Sequence, residues 1–206
     1  LNNKHRSYDA NYWSKRDVAP SALIFYLGLS EKVKNINHHN LFFDRSFDNH
    51  LDDIFDKKQW PKDPLFYICC PSKTDSSVVP NANMENIFIL IPIAPGSIDT
   101  SEIREKYFNN IINRIEEVSN QKIQDKIVVK KSFCVNDFKE RYNSYKGNAY
   151  GLANTLLQTA FLKPKIKDKK IKNLYYSGHF TTPGPGLPPA VISGKIASKQ
   201  IIKDFQ

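Results

Sequence analysis

A turn rich in glycine and proline is the part of this sequence whose residue types best suit chemistry at a bound ligand. It comprises Gly178–Pro189 and joins a strand-like segment, Asn173–Ser177, to a helical apolar pattern that ends at Phe205. The two prolines that close the turn suit the first turn of a helix, where a missing N–H costs nothing. Gly186, just before them, allows the backbone to approach a planar ring closely.

The chemistry that this turn predicts is the stabilisation of negative charge. The start of a helix carries roughly +0.5 of an elementary charge, so it suits a flavin ring, which becomes anionic on reduction. A dinucleotide fingerprint would need Gly-x-Gly-x-x-Gly directly after a strand. Here Gly184-x-Gly186 is followed by Pro189 at the third position, and it begins too far from the strand. The alternative is a surface loop that binds no ligand.

Upstream, the sequence alternates apolar segments with two clear helical patterns, which indicates an α/β fold with a mixed sheet. The predicted strands are Ser21–Leu29, Leu41–Phe43, Leu65–Cys70, Ile87–Ile93 and Ile127–Val135. The predicted helices are Phe47–Phe55, Thr100–Ser119 and a short one from Asn136 or Asp137 to Tyr142. Asp99 with Glu102 resembles a capping box for the long helix. Pro92 indicates an edge position or the end of its strand.

The composition makes nucleic acid the least favoured partner. The chain has 206 residues and a net charge of +9, from 30 lysines and arginines against 21 acidic residues. Only six of the cations are arginine, and no nucleic-acid-binding motif accompanies them. The lysines therefore indicate a solvated surface, with attraction to an anionic membrane surface as the alternative. The apolar runs are shorter than the ~18 residues of a spanning helix, and we expect no signal peptide.

The cysteines and paired histidines are predicted to be structural. Cys69, Cys70 and Cys134 lack the spacing of metal ligands, so we expect free, buried thiols in a reducing compartment. His38 and His39 are adjacent, and neighbouring residues of a strand point to opposite faces. We therefore expect no metal site.

Several blocks of the chain resemble the C-terminal signature of bacterial phytoene desaturases. The most specific are Lys146–Ala160, Pro164, Asn173–Gly178 and Pro183–Pro188. The upstream segments follow the order of the same family, and these are Ser21–Leu29, His38–Phe43, Asp63–Tyr67, Ser72–Ser76 and Leu90–Pro95. The resemblance extends from about Tyr12 to Phe205, with its most specific part between Tyr145 and Gly194.

The resemblance implies an FAD-dependent enzyme with the fold of the flavin amine-oxidase superfamily. Residues 1–145 would form a mixed-sheet substrate-binding region. Residues 146–206 would be the C-terminal piece of a Rossmann-like FAD-binding domain. The N-terminal half of that domain, which holds the FAD pyrophosphate in this family, has no counterpart in this sequence. That missing half of the same chain is therefore an expected partner, and binding of FAD by these residues alone is expected to be weak.

The resemblance also assigns residues to the cofactor and, with core packing as the alternative, to the substrate. The residues placed beside the cofactor are Gly178, His179, Gly186, Leu187 and Pro188. The aromatic residues that would line an apolar tunnel for the substrate are Phe25, Tyr67 and Tyr150. No general acid or base is assigned by the resemblance, so the catalytic residues stay unknown.

The expected activity is the dehydrogenation of a long, phytoene-like polyene in carotenoid biosynthesis. Related alternatives are a carotenoid 3,4-desaturase, a carotenoid isomerase and a retinol-type saturase. A non-catalytic module that binds lipid or membrane is the more distant alternative. Because the substrate dissolves in the bilayer, we expect a cytoplasmic protein that attaches peripherally to the membrane surface.

Overall fold

The computed structural model describes residues 2–206 and divides into two compact units. The sheet unit is Pro20–Gly147, and the terminal unit combines the N-terminal stretch up to Ala19 with Asn148–Gln206. Hydrogen bonds join the two segments of the terminal unit: the Ala19 N–H donates to the Gly151 carbonyl at 2.8 Å, and the Ala153 N–H donates to the Asp17 carbonyl at 3.1 Å. The binding roles expected of 1–145 and 146–206 stay predictions.

The sheet unit contains one five-stranded sheet in the order β2-β3-β4-β1-β5. The strands are β1 Ser21–Leu29, β2 His39–Phe42, β3 Phe66–Cys69, β4 Glu85–Ile93 and β5 Ile127–Phe133. The α/β class is confirmed, but the sheet is antiparallel throughout rather than mixed. The strands β4 and β5 run in the same direction, as expected for strands joined by a helical crossover. Because β1 lies between them, every neighbouring pair is antiparallel.

The α-helices are α1 Ala10–Ser14, α2 Phe47–Leu51, α3 Ser101–Ser119, α4 Val135–Tyr142 and α5 Leu187–Phe205. A π-helical turn, Asp52–Asp56, continues α2, and short 3-10 turns join the other elements. Within residues 2–206, none of these helices combines the length and the apolar character that crossing a membrane requires.

The core of the sheet unit lies between the sheet and the apolar face of α3. Alternate residues of β4 are buried, as expected for a strand with one covered face. Ile111, Ile112 and Ile115 of α3 are fully buried against that face. Phe25 of β1 packs edge-on against Phe108, with 5.2 Å between the ring centroids.

The structure corrects the predicted cap of α3, and of the two alternatives for Pro92 it confirms the end of the strand. The residue that caps α3 is Thr100, whose hydroxyl accepts the Ile103 N–H at 3.3 Å. The Asp99 carboxylate instead forms a bidentate ion pair with Arg104, in which both N···O distances are 2.7 Å. Pro92 does not lie in an edge strand, because β4 is central, but it is one residue from the end of β4 and beyond the pairing with β3.

In the terminal unit, the predicted strand 173–177 is not formed. A single bridge joins Tyr175 to Lys167. The Tyr176 N–H donates to the Ile166 carbonyl at 2.7 Å, and the Tyr176 hydroxyl donates to Asp168 at 2.6 Å. The segment is therefore held by local hydrogen bonds, without a neighbouring strand in the described residues.

Candidate functional site

The glycine- and proline-rich turn is attached to α5 through Ser193. The Ser193 hydroxyl oxygen accepts the Gly178 N–H at 2.9 Å and lies 2.7 Å from the Thr181 hydroxyl. Ser193 is fully buried, so no water competes for these bonds. The beginning of the turn and the second turn of the helix are therefore held together. Nothing in the sequence points to Ser193, because a serine within an apolar helical pattern carries no signal of its long-range partner.

Gly186 is the residue at which the turn becomes α5. Its φ of +111° lies in the region that side-chain-bearing residues rarely adopt, and a Cβ there would lie 3.3 Å from Pro189 Cδ. The Gly186 carbonyl accepts the Ala190 N–H at 3.0 Å, the first bond of the helix. Pro188 and Pro189 have no N–H, so Leu187 supplies the one backbone donor of the first three helical positions. The helix start thus presents a partial positive charge and one donor.

His179 closes the turn onto itself. Its Nδ1 atom accepts the Gly186 N–H at 3.4 Å, a long hydrogen bond. Its Cβ lies so close to Gly151 that a Cβ at position 151 would approach it to 2.6 Å. The half-buried ring therefore joins Gly186 to the preceding loop. The turn brings Gly178, His179 and Gly186 together, and Leu187 and Pro188 follow directly at the exposed helix start. The assignment of these five residues to the cofactor stays a prediction.

Lys163 is a functional candidate that the sequence pattern does not indicate. The residue is only 3 % exposed, and its ammonium nitrogen has no hydrogen-bond partner among the described residues. Burial lowers the pKa of this amine below its usual range. The backbone of Gly184, at φ +136°, packs directly against the Lys163 side chain, since a Cβ at Gly184 would lie 3.3 Å from Lys163 Nζ. In the sequence Lys163 begins a run of lysines that is typical of a solvated surface, so nothing there predicts its burial.

A buried, unpaired amine beside a positively charged helix start favours an anionic ligand. Burying an ammonium group without a partner is costly, and a bound anion or carbonyl oxygen would remove that cost. Gly184 and Gly186 keep the backbone of the turn bare at two points where a side chain would crowd Lys163 or Pro189. The terminal unit can therefore hold an electron-rich planar group along the turn, through backbone contacts and these two positive charges.

The sheet unit contains an apolar cavity of about 290 Å³ on the side of α2. Its walls are almost entirely apolar, and include Leu41, Phe43, Phe47, Phe55, Tyr67, Leu90 and Pro92. His50 also lines it. The Leu65 N–H donates to His50 Nδ1 at 3.2 Å, and burial lowers the pKa of the imidazole despite the opposing charge of Asp53. The cavity therefore offers apolar contact and a neutral histidine.

The three aromatic residues assigned to a substrate tunnel lie in different surroundings. Tyr67 lines the apolar cavity. Phe25 is 1 % exposed and belongs to the core with Phe108, as the core-packing alternative describes. Tyr150 is an exposed residue of the terminal unit. Their assignment to a substrate stays a prediction.

Comparison with known proteins identifies relatives along the whole chain. No protein-family model matches it. The chain is 44 % identical over 205 residues to the carotenoid 3,4-desaturase of Haloarcula japonica, in a match that covers 100 % of this chain and 41 % of that protein. It is 31 % identical to the 4,4'-diapophytoene desaturase (4,4'-diaponeurosporene-forming) of Staphylococcus haemolyticus, covering 98 % of this chain and 41 % of the relative.

A third relative is the zeta-carotene-forming phytoene desaturase of Myxococcus xanthus, 28 % identical over 88 % of this chain and 35 % of the relative. The chain therefore spans about two fifths of the length of the curated relatives that it matches. The curated homologues are carotenoid and phytoene desaturases, and the resemblance seen in the sequence is confirmed.

Proposed function

We propose that this chain is the C-terminal part of an FAD-dependent carotenoid desaturase, which dehydrogenates a long polyene hydrocarbon such as phytoene. The observation that carries the proposal is the similarity along the whole chain to desaturases, at 44 % identity to a carotenoid 3,4-desaturase. Two features support it independently, because the reaction needs a site for a hydrocarbon and a site for a flavin. The first is the apolar cavity in the sheet unit, and the second is the positive charge at the turn in the terminal unit.

The residues of the turn fit a flavin, because the amine of Lys163 is buried without a hydrogen-bond partner and offers a positive charge to an electron-rich ligand. Gly178, His179, Gly186, Leu187 and Pro188 would hold FAD, in the returning piece of a Rossmann-like domain. When bound, FAD accepts the hydride equivalent of a dehydrogenation. This chain would supply the Leu187 N–H, the helix charge and the Lys163 ammonium, all of which stabilise negative charge.

The substrate proposal rests on the apolar character of the cavity. A hydrocarbon polyene offers no hydrogen-bonding groups, so its position is set by contacts with walls such as Phe43, Phe47 and Tyr67. The lowered pKa of His50 keeps its imidazole neutral near pH 7, so the cavity avoids a buried charge beside the hydrocarbon. Positioning, rather than a charged side chain, would then be the contribution of this unit to the reaction.

The terminal unit exposes apolar surface on α5 that a further part of the protein is proposed to cover. Leu187, Val191, Ile202 and Phe205 are all more than half exposed. Large apolar side chains on one exposed helix are typical of an interface. We assign this surface to the N-terminal FAD-binding half of the same protein, which agrees with the two-fifths coverage of the relatives.

A carotenoid 3,4-desaturase is the second candidate, because the relative of that name is 44 % identical to this chain. The two relatives named for phytoene-type substrates are 31 % and 28 % identical. The test uses the purified full-length protein, first for a flavin absorption spectrum and then for products from phytoene or from a more desaturated acyclic carotenoid. Conversion of phytoene supports the first candidate, and conversion of only the second substrate supports the 3,4-desaturase.

The same experiment can overturn both candidates. A product of unchanged mass would indicate an isomerase, and one with added hydrogen would indicate a saturase. A protein without flavin and without turnover of either polyene would leave a non-catalytic lipid-binding module. Chromatography with mass detection distinguishes these outcomes.

We also propose that the protein attaches peripherally to the membrane surface from the cytoplasmic side. A long polyene is delivered from the bilayer, and the net charge of +9 favours anionic lipid. Flotation of the full-length protein with anionic vesicles at low salt should recover more protein than neutral vesicles do. Equal recovery with and without vesicles would contradict this attachment.

A further inference from the structure

Three side chains with metal-binding atoms meet at the edge of the sheet, within the sheet unit. They are His38, His39 and Cys69. One ring nitrogen of each histidine and the Cys69 sulfur all lie within 4.8 Å of one another. None of the three is assigned to the cofactor or the substrate, so the inference does not rest on the proposed function.

The backbone explains why adjacent histidines share one side of the strand. His39 begins β2 and lies directly opposite Cys69 of β3 in the antiparallel register. His38 lies just before the strand, and its carbonyl accepts the Cys70 N–H at 2.7 Å. The alternation of side chains applies within a strand, and His38 is outside it. Its ring therefore lies beside that of His39, with 4.2 Å between the centroids and an angle of 36° between the ring planes.

Both imidazoles are already oriented by a hydroxyl group. His38 Nδ1 lies 2.7 Å from the Thr74 hydroxyl, and His39 Nδ1 lies 2.6 Å from the Tyr67 hydroxyl. In metal sites a hydrogen bond to one ring nitrogen fixes the tautomer in which the other carries the free lone pair. A hydroxyl that accepts from Nδ1–H thus leaves Nε2 as the metal-binding atom. Thr74 and Tyr67 occupy the place of such outer partners.

The exposure of the cluster suits a site that an ion enters from solvent. His39 is exposed, while His38 and Cys69 are half-buried. Two nitrogens and one thiolate are the ligand set of borderline-soft divalent ions, and Zn²⁺ takes them at about 2.0–2.1 Å and 2.3 Å in tetrahedral geometry. The three atoms must therefore approach one another more closely than the limit of 4.8 Å on binding, and the side chain of His39 is exposed, so it has room for a small shift. The fourth position then faces solvent.

We propose that His38, His39 and Cys69 bind one Zn²⁺ ion, with a water molecule as the fourth ligand. On binding, the Cys69 thiol loses its proton to solvent and the thiolate forms the Zn–S bond, so no oxidant or reductant is needed. The ion links the residue before β2 to both paired strands. It would therefore hold in place a short edge strand of four residues.

The experiment is a Co²⁺ titration of the metal-free protein, purified without a polyhistidine tag, followed by displacement with Zn²⁺. The expected result is a thiolate-to-cobalt charge-transfer band that Zn²⁺ abolishes. Cys69→Ser should lose the band, and His39→Gln should weaken binding at least tenfold. Cys134→Ala is the control, because that thiol belongs to a different element and should leave the band unchanged. Thr74→Val should weaken binding by roughly 10- to 100-fold, as loss of an outer partner does.

A measurement on the unaltered protein keeps the proposal testable even if Cys69→Ser fails to fold. Zn²⁺ should slow alkylation of Cys69 by iodoacetamide, read by mass spectrometry, while buried Cys70 stays unreactive with or without the ion. Unchanged alkylation of Cys69 in excess Zn²⁺ would overturn the proposal. So would a cobalt band that persists in folded Cys69→Ser, because another thiol would then be the ligand.

Discussion

The hydroxyl oxygen of Ser193, in the second turn of α5, accepts a hydrogen bond from the Gly178 N–H at 2.9 Å, although the two residues are 15 positions apart along the chain. This bond joins the beginning of the glycine-rich turn to the helix that follows it. The turn is therefore set by a buried side chain and does not depend on its own glycines and prolines alone. The same turn contains Gly186 and also Gly184, which packs against Lys163.

Replacing Ser193 by alanine should loosen the turn and reduce flavin occupancy. The change leaves the Gly178 N–H and the Thr181 hydroxyl without their buried partner, which costs about 1–3 kcal/mol. The measurements are the denaturant midpoint and the flavin-to-protein absorbance ratio of the full-length protein. Ser14→Ala, at an exposed serine of α1 in the same unit, is the control and should change stability by less than about 0.5 kcal/mol. Equal occupancy in both variants would contradict a role of the turn at the flavin.

Gly186→Val should remove flavin or turnover while leaving most of the fold intact. Valine is strained at a φ of +111° and would fill space beside Pro189. Displacing the helix charge costs only about 0.3–1 kcal/mol, or up to ~2 kcal/mol when buried, so exclusion of the ring is the larger effect.

The matched control for Gly186→Val is Gly194→Ala in the same helix. A Cβ at Gly194 meets nothing within 4 Å, and alanine in a helix interior is favoured by roughly 0.5–1 kcal/mol. Both variants are compared by flavin absorbance and polyene conversion. If Gly186→Val kept the flavin absorbance and the polyene conversion of the wild-type protein, the turn would not be part of the cofactor site.

Lys163→Met should change stability and flavin retention in opposite directions. Without ligand, the variant no longer buries an unpaired polar group, so it should gain about 1–3 kcal/mol in unfolding free energy. With flavin, the loss of a positive charge should weaken retention during dialysis. Lys165→Met, at an exposed residue, should show neither change. If Lys163→Met retained flavin as tightly as the parent protein, the assignment of Lys163 to the cofactor site would be contradicted.

The burial of His50 predicts a loss of stability in mildly acidic solution. Its folded-state pKa is lowered, so below the unfolded value of about 6.5 the unfolded chain binds a proton that the folded protein does not. The contribution is present above that pH and is lost as the pH falls, by at most about 1.4 kcal/mol per pH unit. His50→Asn keeps an acceptor for the Leu65 N–H without titrating, so it should flatten the dependence between pH 6.5 and 5. An unchanged slope in denaturant unfolding would contradict this assignment.

Much of the local structure follows from the sequence, because a regular pattern of apolar residues defines which face of an element is buried. The strands β1 and β4 and the helices α3 and α5 are predicted within one or two residues of their observed ends. The turn after Gly178 and the start of a helix near Pro188 are likewise local, since proline and glycine restrict or free the backbone at their own positions. The family resemblance is also a property of the sequence.

The tertiary structure decided which distant groups meet. Strand direction depends on β1 entering between β4 and β5, which no local pattern encodes. Lys163 looks like a surface residue in the sequence and is buried beneath Gly184. His38 and His39 share one side because the strand begins between them. In each case the outcome depends on hydrogen bonds and packing between residues far apart in the chain, and periodicity describes only the face that a residue presents and not the partner that it meets.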